Sequence, residues 1–139
     1  LNPPTGGSSA AFNMALFFYK KKLVAIKISK MPAGTSPVTQ GKEPFQALTL
    51  KHPKGKYLLA HKHKPRRRTT TRLQECLVIL KGKVKIDLYG PDDKKFKYIY
   101  LNAGEALLLA NGGYGIHVMQ NAEMMEFKNG PFLEDKILI

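Results

Sequence analysis

Short segments in which apolar and polar side chains alternate constrain this chain more than any other feature. Residues 83–89 show the pattern clearly, because every second side chain is Val, Ile or Leu and the others are Lys, Asp or Tyr. A period of two residues is typical of a strand with one face in a core and the other in water. We therefore expect three side chains in the core, Val84, Ile86 and Leu88, and three in solvent, Lys83, Lys85 and Asp87.

Turn sequences separate the alternating segments at short intervals, and they are rich in the Gly, Pro, Asn and Asp that turns favour. They are HPKG at 52–55, Lys81-Gly82, GPDDKK at 90–95, NAGE at 102–105 and NGGYG at 111–115. The predicted strands are 13–19, 22–29, 45–51, 56–63, 73–81, 83–89, 95–101, 105–110, 115–119 and 123–128. About ten short strands with almost no helical period predict an all-β sandwich or antiparallel β-barrel.

The length of 139 residues suits one domain with a single sizeable core. Residues 1–12 are rich in Pro, Gly and Ser and are expected to form a flexible arm, so the predicted domain is 13–139. Residues 30–44 also contain several prolines and glycines, and we expect them to form a long connection.

Apolar runs and cysteine content indicate where the protein resides. The early apolar run at 14–19 is far shorter than the ~20 residues of a membrane helix. It is followed, not preceded, by the basic residues 20–22, which argues against a signal peptide. The single cysteine, Cys76, excludes an internal disulfide framework and fits a reducing compartment. We expect a cytoplasmic protein that does not enter a membrane.

The chain is strongly basic, with 23 Lys and Arg against 10 Asp and Glu and a net charge of +13. A dense cluster contains no acid: Lys62, Lys64, Arg66, Arg67, Arg68 and Arg72. The cluster is interpreted either as an anion-binding loop or as a solvated loop without a ligand. Nucleic acid is a weaker expectation, because the cluster lacks the interleaved aromatic residues of single-strand binders and no recognition helix is apparent.

Two histidines and a glutamate stand where core residues would be expected. His61 and His63 share one face of the predicted strand 56–63, and Glu75 lies within an apolar strand, where a carboxylate needs a cation or Arg partner. With His117 as a fourth ligand, these residues would suit a divalent transition metal, either Fe, Mn, Ni, Zn or Cu. The alternative is a metal-free pocket in which the same side chains bind an organic ligand.

The spacing of these residues resembles the first motif of the cupin superfamily. Gly55 precedes His61 by five intervening residues, and Glu75 precedes Gly82 by six. The gap between His63 and Glu75 is longer than usual, so its basic residues are interpreted as an insertion. The second cupin motif is matched by Gly104, Ala110, Gly112, His117 and Asn121, the last two displaced by two residues. The resemblance covers roughly 45–128 and implies a cupin-type antiparallel barrel, a double-stranded β-helix or jelly roll.

The chain end is similar to small single-domain cupins encoded with polysaccharide and nucleotide-sugar biosynthesis genes. Their tail motif is matched by Lys128, Gly130, Pro131, Phe132, Asp135 and Lys136. Tyr114 stands where that group has a turn histidine, so either Tyr114 or His117 would complete the site. Cupins commonly form dimers by strand exchange, and the resemblance therefore also implies a homodimer.

The resemblance implies a protein that binds or acts on a sugar or nucleotide sugar, as an isomerase or epimerase would. His61 or His63 would act as the base with Tyr114 nearby. Three arginines would hold a phosphorylated substrate bidentately: Arg66, Arg68 and Arg72. The alternative is a non-catalytic module that binds a small acidic metabolite or a metal.

Overall fold

The alternating segments form eight β-strands in the computed structural model, which describes residues 13–139. The strands are β1 (Asn13–Tyr19), β2 (Lys22–Lys30), β3 (Gly34–Pro37), β4 (Leu48–Lys51), β5 (Glu75–Tyr89), β6 (Lys95–Asn102), β7 (Ala106–Leu109) and β8 (Gly113–Lys128). Within these residues there is no helix, and hence no helix that could span a membrane. The predicted all-β class is confirmed. The arm predicted at 1–12 lies outside the described residues.

Six strands form one antiparallel sheet, which curls into a half-barrel. The strand order is β1-β2-β7-β5-β6, and β8 pairs with the other edge of β5. The remaining two strands, β3 and β4, form a separate antiparallel pair. Because β8 runs beside β5 over nearly its whole length, these two strands determine how the half-barrel curves.

The predicted break at Lys81-Gly82 is wrong, since β5 runs continuously through it. The pairing of β5 with β8 changes register between Ile79 and Val84, and Gly82 has a positive φ of 83°. A Cβ at Gly82 would collide with the backbone carbonyl of Asn121 on β8. Gly82 is therefore a bulge residue, and the bulge bends β5. The strands predicted separately at 115–119 and 123–128 also form one continuous strand, β8.

The core follows the predicted alternation. Val84, Ile86 and Leu88 are fully buried, as expected, and they pack with residues from β2, β6 and β7 in one cluster. Asp87 departs from the prediction, because it is 6% exposed although its strand face points away from that cluster. Its burial comes from neighbouring polar side chains and is described below.

The strand predicted at 56–63 is absent, and residues 53–73 are exposed throughout without regular structure. Only the HPKG turn is present there, closed by a 3.2 Å bond from the Lys56 amide to the Pro53 carbonyl. A strand needs the edge of another strand to hydrogen-bond with its backbone amides and carbonyls. In addition, the four successive apolar residues 57–60 interrupt the alternation of polar and apolar side chains. Conversely, the predicted connection at 30–44 contains β3, which pairs with β4.

Candidate ligand-binding site

A cavity of about 670 Å³ lies where the exposed segment joins β5 and where β8 passes into the C-terminal tail. The antiparallel pairing of Glu75 with Lys128 brings these two parts of the chain together. The lining residues come from two short stretches, 70–75 and 128–136. All six residues of the tail motif line it: Lys128, Gly130, Pro131, Phe132, Asp135 and Lys136.

Asn129 ties the two walls of the cavity together. Its Oδ1 accepts a 2.8 Å hydrogen bond from the backbone amide of Gln74. Its Nδ2 donates to Oγ1 of Thr70 and to the carbonyl of Arg72, both at 3.1 Å. One side chain therefore satisfies three polar groups of the opposite wall. These bonds fix the position of residues 70–74, which directly precede β5.

Four polar side chains meet beside the cavity on the inner face of the half-barrel. Lys128 Nζ lies 2.9 Å from Oε1 of Glu126 and 3.9 Å from Oε1 of Glu75. The hydroxyl of Tyr114 donates a 3.1 Å hydrogen bond to Oε2 of Glu126. Glu126 pairs with Leu77, a core residue, so its carboxylate points to the same inner face.

Burial and charge determine the protonation of this cluster. Burial of the Tyr114 phenol, together with the negative charges of Glu75 and Glu126, raises the pKa of Tyr114 far above its usual range. The Lys128 hydrogen bond holds the pKa of Glu126 below its usual value, although partial burial acts in the opposite direction. The same bond raises the pKa of Lys128. At neutral pH the cluster therefore holds a neutral phenol, an ionised Glu126 and a protonated lysine.

The charges around the cavity balance. Its lining contains three basic and three acidic side chains: Arg72, Lys128, Lys136, Glu75, Glu134 and Asp135. Phe132 and Leu133 supply apolar surface, and both are largely exposed. Such a lining suits a polar ligand of low net charge better than a polyanion.

Three of the site residues predicted from the sequence lie together here. Arg72 and Glu75 both line the cavity, and Tyr114 interacts with Glu75. Arg72 is already paired, since its guanidinium lies 2.7 Å from Oε2 of Glu43 and donates a longer bond to Asn111. Gln74 also donates to Glu43, at 2.8 Å.

The other predicted residues lie elsewhere. His61 and His63 are exposed, with ring centroids 5.3 Å apart, and His61 Nδ1 lies 3.0 Å from the Leu59 carbonyl. Arg66 and Arg68 are exposed on the same segment. The premise that both histidines share a strand face is wrong, because the segment forms no strand.

His117 lies on the outer face of the sheet, where its Nε2 is 2.6 Å from Oδ2 of Asp87. Lys95 Nζ approaches the other carboxylate oxygen at 2.8 Å. The hydrogen bond from Lys95, followed by that with His117, lowers the pKa of Asp87 below its usual range, although burial acts to raise it. This cluster explains why Asp87 is buried on a face predicted to be in solvent.

Within residues 13–139, no three His, Cys, Asp or Glu side chains lie close enough together to hold a metal ion. The predicted ligands His61, His63, Glu75 and His117 therefore do not fit a transition-metal centre in this arrangement. Metal binding by this chain stays a prediction.

Sequence reasoning missed Glu126 and Asn129. Glu126 lies on the inner face of β8 two residues before Lys128, so it has no apolar surroundings in the sequence that would distinguish it as Glu75 is distinguished. Asn129 directly precedes the Gly130-Pro131 pair of the tail motif, but its role depends on contacts with residues more than fifty positions earlier. No local pattern indicates such contacts.

Comparison of the chain with protein-family models, with curated proteins and with solved structures found no match. The resemblance to cupins thus depends on the motifs quoted above.

Proposed function

We propose that the chain binds a sugar-type small molecule in the cavity between residues 70–75 and 128–136. The observation that carries this proposal is the position of Glu75, which lines the cavity beside Lys128 and interacts with Tyr114. The cavity volume of about 670 Å³ suits a small ligand. Carboxylate, amide and hydroxyl groups can pair with sugar hydroxyls, while Phe132 offers an apolar surface for a sugar ring.

The charge balance favours the sugar itself over a diphosphate as the main contact. Arg72, the predicted phosphate ligand nearest the cavity, is paired with Glu43 at 2.7 Å. The three acidic side chains of the lining offset its three basic ones, so the cavity offers no net positive charge to attract a diphosphate. We therefore propose that a nucleotide portion, where present, contributes little and extends towards the exposed arginines Arg66 and Arg68.

For an isomerase, Glu75 is the side chain best positioned to take a proton from one carbon of the ligand and return it to the neighbouring carbon. An epimerase would need a second acid that delivers the proton to the opposite face. Tyr114 is then a positioning residue, since it acts on the cavity through its neighbours Glu75 and Glu126. The predicted role of His61 or His63 as the base requires residues 53–73 to fold over the cavity. In the non-catalytic alternative, Glu75 only accepts hydrogen bonds from sugar hydroxyls.

We also propose that the half-barrel is part of a cupin-type barrel and that two copies of the chain associate. Large apolar side chains in residues 53–73 and in the tail after β8, residues 129–139, support the association of two copies. They are Tyr57, Leu58, Leu59, Leu133, Ile137 and Leu138, each 46–88% exposed. Sedimentation equilibrium should give twice the chain mass of 15.5 kDa. A monomer at micromolar concentration would contradict this proposal.

Isothermal titration calorimetry tests the ligand proposal directly. The titrants are glucose, galactose, N-acetylglucosamine and UDP-glucose. At least one free sugar should bind, and Glu75→Gln should weaken it by about tenfold, the loss of one charge-assisted hydrogen bond. Glu123→Gln is the matched control, because Glu123 is exposed on β8 and pairs with Lys81. If UDP binds as tightly as UDP-glucose, the phosphates and not the sugar are recognised.

A further inference from the structure

The outer face of the main sheet carries exposed aromatic rings among lysines. Tyr98 and Tyr100 of β6 are 53% and 39% exposed, and their ring centroids lie 6.0 Å apart. Tyr100 pairs with Lys85 of β5, and Tyr98 pairs with Asp87. Lys85 Nζ lies 4.7 Å from the Tyr98 centroid, and Lys83 Nζ lies equally far from that of Tyr100. We name these four residues, Lys83, Lys85, Tyr98 and Tyr100, the tyrosine–lysine face.

The potential of this face is positive. Its neighbouring acid, Asp87, is buried, and its carboxylate is already paired with Lys95 at 2.8 Å and with His117 at 2.6 Å. Lys85 Nζ also lies 4.0 Å from Oδ1 of Asp87, so this one carboxylate is shared among Lys85, Lys95 and His117 and cannot neutralise both lysines of the face. The whole chain carries a net charge of +13. A cationic surface of this kind attracts polyanions.

We propose that the tyrosine–lysine face binds single-stranded nucleic acid. Exposed aromatic rings next to cationic side chains form the usual platform for this ligand, since the rings stack with bases and the cations contact phosphates. The basic segment 62–72 lacks such rings, whereas this face has both groups on adjacent strands. Binding requires Lys83 and Lys85 to swing from the rings to phosphates, which their flexible side chains allow.

Nucleic acid differs from other polyanions in having bases that can stack on the two tyrosine rings. A sulfated polysaccharide would use the same lysines but would leave Tyr98 and Tyr100 without stacking partners. The surface is also separate from the sugar cavity, whose lining includes none of its four residues. The tyrosine–lysine face can therefore bind its ligand whether or not the cavity binds a sugar.

Fluorescence anisotropy of two labelled strands provides the test: an oligothymidylate of about 15 nucleotides and an abasic strand of equal length. The native chain should prefer the strand with bases. Tyr98→Ala/Tyr100→Ala should weaken oligothymidylate binding by about tenfold or more and leave abasic binding unchanged. Tyr98→Phe/Tyr100→Phe keeps the rings and should bind as the native chain does.

Lys83→Gln/Lys85→Gln should weaken binding of both strands and reduce the slope of log affinity against log salt by about 1.4, the value for two phosphate contacts on a single strand. The control Arg66→Gln/Arg67→Gln/Arg68→Gln should leave the preference for bases intact. Equal affinity of the native chain for both strands, or for heparin and oligothymidylate at matched salt, would overturn the proposal. That result does not depend on how well any variant folds.

Discussion

The hydroxyl of Tyr114 hydrogen-bonds to Glu126 at 3.1 Å, although the two residues are 12 positions apart on the same strand. In a straight strand they would lie about 40 Å apart. The bond therefore exists only because β8 curls with β5 around the inner face of the half-barrel. It links the curvature of the sheet to the polar cluster beside the cavity.

Removing this hydroxyl tests whether the contact stabilises the curled sheet. We expect Tyr114→Phe to lower the free energy of unfolding by about 1–2 kcal/mol, because Glu126 loses a donor while the ring packing is kept. Urea denaturation measures the change. Tyr98→Phe, which alters an exposed tyrosine, should have little effect. Equal stability of the two variants would show that the Tyr114 bond does not support the fold.

Gly82 is predicted to be essential for the bend in β5. Gly82→Ala should cost about 1–3 kcal/mol, because it combines an unfavourable positive φ with a steric collision. Gly104→Ala is the control, since Gly104 has nearly the same φ of 85° but nothing within 4 Å of an added Cβ. Thermal or urea unfolding of both variants separates the two effects. An equal loss in both would exclude the collision with Asn121 as a cause.

Asn129 is predicted to hold the cavity walls together. Asn129→Ala should lower the free energy of unfolding by about 1–3 kcal/mol, because a part-buried amide and two further groups lose their partners. Cleavage within residues 53–73 by trypsin should accelerate as well. Gln120→Ala, an exposed position on β8, is the control. Unchanged cleavage in the Asn129 variant would mean that other contacts position this segment.

Asp87 should make stability depend on pH in acid. Because the folded pKa of Asp87 lies below its unfolded value, its ionised form stabilises the fold fully above about pH 4. This contribution is lost as the pH falls through the folded pKa. Asp87→Asn should therefore destabilise the protein at neutral pH, and the difference from the native chain should shrink below about pH 4.

Melting temperatures measured between neutral and strongly acidic pH show this convergence. Asp93→Asn, in the exposed turn before β6, removes the same charge and should not produce it. A constant difference between the native chain and Asp87→Asn across the whole range would contradict the role of the Lys95 and His117 contacts.

Local features of the fold could be predicted from the sequence, and features that join distant residues could not. The burial of Val84, Ile86 and Leu88 follows from alternation alone, and the turn at 90–95 follows from its Gly, Pro and Asp residues. From the sequence alone, Gly82 looks like a turn residue just as the glycine of the 90–95 turn does, but it lies inside β5. Its function as a bulge depends on Asn121, which lies on another strand.

The candidate site could be predicted only in part, for the same reason. Glu75 is conspicuous because a carboxylate in an apolar strand needs a partner. In the structure, Lys128 of β8 places its Nζ 3.9 Å from the Glu75 carboxylate. The sequence predicts a strand at 56–63 with His61 and His63 on one face, but a strand also needs a neighbouring edge, which the local sequence does not reveal.

Amide chemical-shift mapping shows whether the cavity beside Glu75 binds a sugar, as we propose. A ¹⁵N-labelled sample is titrated with the sugar that gives the largest calorimetric signal. We expect the shifted amides to cluster in residues 70–75 and 128–136, with the Glu75→Gln variant showing clearly smaller shifts at the same subsaturating sugar concentration. Shifts confined to other parts of the chain, or no saturable shifts with any of the sugars, would contradict the claim.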